Sequence, residues 1–149
     1  MRGYSVNAVA STTGSKTLLL LEASSSRALI VQSIRVGNRD NNTAERWQVA
    51  IQRVSTKGTP AGTTLTIKPV NTNDAASNAT ALGFLTTEPT SYEADPLLAF
   101  GETNLVGIRW QAMRDTELYI PPSGLIGVKL LNTIANTTIA VNVVFLEVP

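Results

Sequence analysis

An all-β fold, arranged as a single two-layer sandwich, is what the sequence predicts, and three observations carry the prediction. Apolar residues recur at every second position in run after run; Gly, Asn, Ser and Pro bound those runs; and no stretch sustains an apolar period of 3.6 residues. A chain of 149 residues has room for one core of ordinary size. Ser, Thr and Asn fill 41 positions and only 15% of residues are charged, so much of the surface must be hydroxyl and amide, a composition that suits β structure.

Along the chain, residues 1–15 are small and polar, with Tyr4, Val6, Ala8 and Ala10 at strand spacing. They read as an extended arm that orders only against something else, ahead of a single domain over 16–149. Lys16 to Glu22 is a Leu-rich strand closed by a Ser-rich loop. Arg27 to Val36 is a half-buried strand with Ala28, Ile30, Ile34 and Val36 sharing a face with Gln32. The turn-rich Gly37 to Asn42 reverses the chain into Arg46 to Val54, which reads as the antiparallel partner of the strand before it.

Thr63 to Lys68 alternates Leu65 and Ile67 with polar residues and reads as one strand. Asn71 to Thr80 has no apolar side chain larger than Ala and must be a surface loop. Ala81 to Thr86 returns to the core, Glu88 to Glu102 reads as a long loop packed by its own apolar residues, and Leu105 to Met113, Glu117 to Ile120, Leu125 to Leu131 and Thr137 to Val148 are further strands. The last strand is largely apolar on both faces, which places it inside a sheet or beneath a neighbouring subunit. About eight strands with unequal connections favour a jelly roll over an immunoglobulin-type sandwich.

Composition removes whole classes of chemistry. Twelve Lys and Arg against eleven Asp and Glu leave a net charge of +1, which gives no electrostatic case for nucleic acid or a membrane surface. The absence of Cys and His excludes disulfides, thiolate or imidazole metal sites, a cysteine nucleophile and a Ser-His-Asp triad. No phosphate-binding glycine loop and no nucleophile elbow occurs. The longest aliphatic run, Leu18 to Leu21, is far short of the ~20 residues of a spanning helix, and the first residues lack the apolar stretch of a secretion signal. The expectation is a protein with no cofactor, no metal, no catalytic residue and no small-molecule substrate.

Four sets of side chains nevertheless deserve placement. Glu88, Glu93, Asp95 and Glu102 are the acids from which a glycosidase pair would be drawn. Trp47 and Trp110 would form a sugar-stacking platform in a carbohydrate-binding module if they faced outward, but their alternation with Val49, Ile51, Val106 and Ile108 puts both in the core. Asp40-Asn41-Asn42 and Asn71-Thr72-Asn73-Asp74 match no calcium loop and read as Asx turns. Arg27, Arg35, Arg39, Arg46 and Arg53 fall in two neighbouring strands and their turn, where guanidinium forks suit carboxylates of a protein partner.

The polar N-terminal segment, the strand Arg46-Trp47-Gln48-Val49-Ala50-Ile51, the turn Gly58-Thr59-Pro60-Ala61-Gly62-Thr63-Thr64 and the corner Pro121-Pro122-Ser123-Gly124 together resemble the small jelly-roll decoration (cement) proteins on the heads of tailed bacteriophages. The resemblance implies a homotrimer on the outer surface of a virion, with the major capsid protein as partner and N-terminal arms reaching across subunits. On that expectation Tyr4 and Val6 anchor the arm in a partner groove, Arg2 pairs with a carboxylate, and the arm docks by strand addition.

Overall fold

The computed structural model describes all residues, 1–149, and is all-β. Thirteen strands form two antiparallel sheets: β1 (Arg2–Thr12), β2 (Lys16–Glu22), β3 (Ala28–Asn38), β4 (Arg46–Thr56), β5 (Ala61–Thr64), β6 (Ile67–Pro69), β7 (Thr80–Thr87), β8 (Ser91–Tyr92), β9 (Leu98–Thr103), β10 (Ile108–Gln111), β11 (Leu118–Ile120), β12 (Leu125–Leu130) and β13 (Thr137–Val148). The first sheet runs β10-β3-β13-β1-β6, with β11 also on β3. The second runs β5-β7-β2-β12-β4-β8, with β9 also on β4.

Consecutive strands β1 to β4 alternate between the sheets. β13 then returns between β1 and β3, and β12 between β2 and β4. This interleaving is that of a jelly roll, with β10 and β9 completing the eight-strand frame, β7 extending the second sheet beside β2, and the short β5, β6, β8 and β11 inserted into its loops.

Between the layers lies one cluster of 26 buried residues. β13 supplies Ile139, Val141, Val143 and Phe145 from alternate positions, each inward, while its other face is half-buried. A register shift opposite Val128/Lys129 leaves Leu18 as the extra residue of β2, so Leu18 and Leu19 both enter the core and Thr17 turns to the outside.

Several expectations change. The predicted N-terminal arm is instead the strand β1, paired with β13 from Arg2↔Glu147 to Thr12↔Thr137. Its alternating apolar side chains find their hydrophobic partner in this chain's own core, and the Tyr4 ring stacks on Phe145 at 5.8 Å. β3 and β4 are not a hairpin: their connection crosses the sandwich, because a jelly roll places successive strands in opposite sheets. The run 63–68 splits at Leu65, with β5 in the second sheet and β6 in the first. The segment 88–102, expected as a loop, adds β8 and β9 to the edge of β4, and the strand expected over 105–113 is confined to β10.

Candidate docking surfaces

The residues singled out for the arm do not come together as an accessible site. Tyr4 and Val6 are fully buried, and the Tyr4 hydroxyl donates to the Ala75 carbonyl at 3.0 Å. Arg2 is exposed, directly across from Glu147. Glu147 itself is buried and accepts the Asn78 amide at 2.9 Å. Tyr4 and Glu147 therefore fasten the loop 71–79, whose only buried apolar side chain is Ala79, onto one end of the sandwich.

The outer face of the second sheet is covered by the chain itself. Glu88 accepts the Thr17 amide at 2.7 Å on one oxygen and the Thr17 hydroxyl at 2.5 Å on the other. The Tyr92 side chain reaches from the sheet edge to within 2.5 Å of the same hydroxyl. It crosses β12 at Gly127, where a Cβ would lie 2.9 Å from the Tyr92 oxygen, so only glycine admits the ring. Burial raises the Tyr92 hydroxyl well above the ordinary tyrosine range, with the Thr17 contact opposing the shift. Lys129 places its ammonium 3.9 Å above the Tyr92 ring and donates to Gln52 at 3.2 Å. Burial lowers its pKa, and the Glu88 carboxylate works against that.

This cluster borders a hollow of about 320 Å³, but both Glu88 oxygens are occupied, and its geometry is that of a strap from the β7–β8 connection to β2. The four candidate acids are spread out. Glu88 is held by Thr17, Glu93 and Asp95 are exposed beyond β8, and Glu102 lies on β9 across from Trp47. Trp47 is fully buried, and Trp110 is half-buried against the core, so Trp47 offers no outward ring.

At the end of the sandwich formed by the loops 38–45, 103–107 and 131–136, amide side chains substitute for missing backbone partners. Asn38 accepts the amides of Asp40 and Asn41, and Asn41 accepts that of Thr43, the expected Asx turns. Asp40 takes the Thr138 amide at 2.8 Å and hydroxyl at 2.6 Å; the hydroxyl bond is the larger reason that its carboxyl lies below the ordinary value, with the amide next. Asn132 bridges Gln48 and Arg46, and Glu45 accepts the Ala135 amide at 2.7 Å.

Asn104, 1% exposed, is the centre of this end. Its side chain accepts from the Glu45 amide at 2.8 Å and donates to the Thr43 carbonyl at 2.9 Å. The turn after it is tied by Val106 and Gly107 amides to the Thr103 carbonyl and closes at Gly107, whose φ of +72° favours glycine. The outcome is a fixed turn carrying Leu105 and Val106 outward, 57% and 79% exposed. Alternation alone assigned both to a strand. The Thr-Asn before them and the Gly after them were the turn signal in the sequence.

The outer face of the first sheet has no such covering. Cross-strand rows there read Asn7, Asn142, Arg35, Arg109 and, one step along, Lys68, Ser5, Val144, Ser33, Gln111. Arg35 and Arg109 are directly opposite and both exposed. Of the other arginines, Arg53 bridges the layers by donating to the Tyr119 carbonyl at 3.2 Å, and Arg46 lies over Gly101. Arg35, Arg46 and Arg53 therefore do not share one surface. No protein-family model, curated protein or solved structure matches this chain.

Proposed function

We propose that this chain is a non-enzymatic decoration protein of a viral capsid, a homotrimer that sits on the outer surface of the virion and clamps subunits of the major capsid protein. The observation that carries the reading is the Leu105–Val106 turn, two adjacent exposed apolar side chains on a support held by a buried asparagine. A docking group fixed before contact avoids the entropy of ordering a loop on binding. Fully burying each side chain is worth about 1.5–3 kcal/mol.

One such contact is weak. A trimer engaging several shell subunits makes the later contacts intramolecular, and avidity then exceeds single-contact affinity by ~10²–10⁴. A ligand that binds only the mature shell stabilises that state by linkage, about 2.7 kcal/mol at a concentration a hundred times Kd. The N-terminal strand has no part in this docking, because its anchors belong to the core.

The test mixes the purified protein with expanded, undecorated shells and pellets them. Leu105→Asp and Val106→Asp are each expected to weaken every subunit contact roughly 10- to 150-fold, the equivalent of one lost apolar burial, and the multivalent shell affinity by more than that, while far-UV circular dichroism stays that of the parent. Variants that pellet with shells as the parent does would remove the turn from the interface, and a parent that never pellets would remove the decoration reading.

A further inference from the structure

The charges of this molecule are unevenly distributed along the chain and across the first sheet. Residues 69–108 contain Asp74, Glu88, Glu93, Asp95 and Glu102 and no Lys or Arg at all. The rows across the open face of the first sheet contain Arg35, Arg109 and Lys68 and no Asp or Glu. The one ion pair of the chain, Lys57 with Glu22, involves neither set.

Arg35 and Arg109 are the unusual members. Facing positions on adjacent antiparallel strands hold their Cα atoms about 5 Å apart, and like charges so placed destabilise a sheet. No carboxylate of the chain lies within 4.0 Å of either. The neighbour on the other side of Arg35 is Asn142, whose amide is already spent on Ser5 and Asn7. Two guanidinium forks side by side, in cross-strand rows that hold no Asp or Glu, match the geometry of carboxylates brought by another molecule.

The complementary group is on the same chain but on a different surface. Glu93 and Asp95 are exposed just past β8, at the edge of the second sheet. Arg53, which lines a hollow with Glu93, gives its guanidinium to the Tyr119 carbonyl instead.

We infer that Arg35 and Arg109 form a carboxylate clamp for a second copy of this chain and receive Glu93 and Asp95 of the neighbouring subunit. Two different surfaces meeting in this way make a heterologous contact, which closes into a ring when its rotation allows. The inference rests on the proposed trimer and gives it a contact: the sides of the sandwich bind copies, which leaves the Leu105–Val106 end free for the shell.

The test is sedimentation of the protein alone, without shells. The parent should form a closed oligomer at low salt that loosens as salt rises. Arg35→Glu with Arg109→Glu, and separately Glu93→Lys with Asp95→Lys, should each raise the dissociation constant roughly a hundredfold, since each sets like charges against one another. All four reversals in one chain should restore the oligomer. A parent that is monomeric at every salt concentration, an oligomer indifferent to both reversals, or a four-fold variant that stays apart would overturn the clamp. Shell pelleting separates this from the decoration reading: a monomer that still pellets sinks the clamp and the trimer but leaves shell binding, whereas a salt-sensitive oligomer that never pellets sinks shell binding and leaves the clamp.

Discussion

Gly127 is where one missing side chain decides a surface. Its position on β12 lets the Tyr92 ring lie flat across the sheet to Thr17, with Lys129 stacked 3.9 Å above. A Cβ there would sit 2.9 Å from the Tyr92 oxygen and 3.0 Å from a ring carbon, both too close. Gly127→Ala should therefore push the ring outward, break the Thr17 contact and destabilise the protein by about 1–3 kcal/mol, as overpacking does. Thermal unfolding reads this as a fall of roughly 2–4 °C per kcal/mol; an alanine variant that melts with the parent would show that the ring has another seat. That something comes close at Gly127 is legible in the sequence, because a glycine inside an apolar strand asks for a neighbour. Which neighbour is not, since Tyr92 is 35 positions away and nothing local connects them.

At the scale of elements, strand existence was written in the chain far more clearly than strand partnership. Alternation tells which face of a strand is buried, but any partner that keeps the apolar face inward satisfies it equally. That is why β2, β12 and β13 fall nearly where alternation puts them, whereas β4 pairs with β12, β8 and β9 rather than with β3, and residues 63–68 divide between two sheets. β1 is the sharpest case. The alternation of Tyr4, Val6 and Ala8 has strand spacing, but the small polar residues between them suggest a free arm and hide that these three complete the core. Deleting residues 1–15 should abolish cooperative unfolding, because it strips a partner from the whole length of β13 and removes Tyr4, 0% exposed, from its stack on Phe145. Losing a buried aromatic alone costs about 3–5 kcal/mol, against a total stability of about 5–15 kcal/mol for a domain. A truncated chain with the parent's circular dichroism and a cooperative melt would make β1 dispensable after all.

Across the whole molecule, stability and shape depend on polar groups that hold the loops at the ends of the sandwich. Asp40 joins the β3–β4 connection to the start of β13, and its folded-state pKa lies below the ordinary 3.8 because Thr138 donates two hydrogen bonds to the ionised form. A depressed carboxyl adds stability that is fully present above the unfolded value and is lost as pH falls through the folded one. The parent should thus exceed Asp40→Asn in urea midpoint at about pH 6, and the gap should shrink below about pH 3.8. An equal gap at both ends of that range would mean that the carboxylate is no more than a solvated charge.

By itself the sequence determined the fold class, the inward faces of β4, β12 and β13, the main turns and the absence of imidazole and thiol side chains. Each of these follows from residue identity and near-neighbour spacing. On β3 it failed, because the register shift against β13 at Val144/Phe145 sends Leu29 and Val31 into the core and leaves Ile30 on the opposite face from Ile34 and Val36. Only the tertiary structure decided that the N-terminus is core, that Glu88 is a strap, that Asn104 holds Leu105 and Val106 outward, and that Arg35 faces Arg109. Those facts depend on which distant strands lie side by side, and strand pairing is settled by the packing of both sheets at once, not by any segment alone.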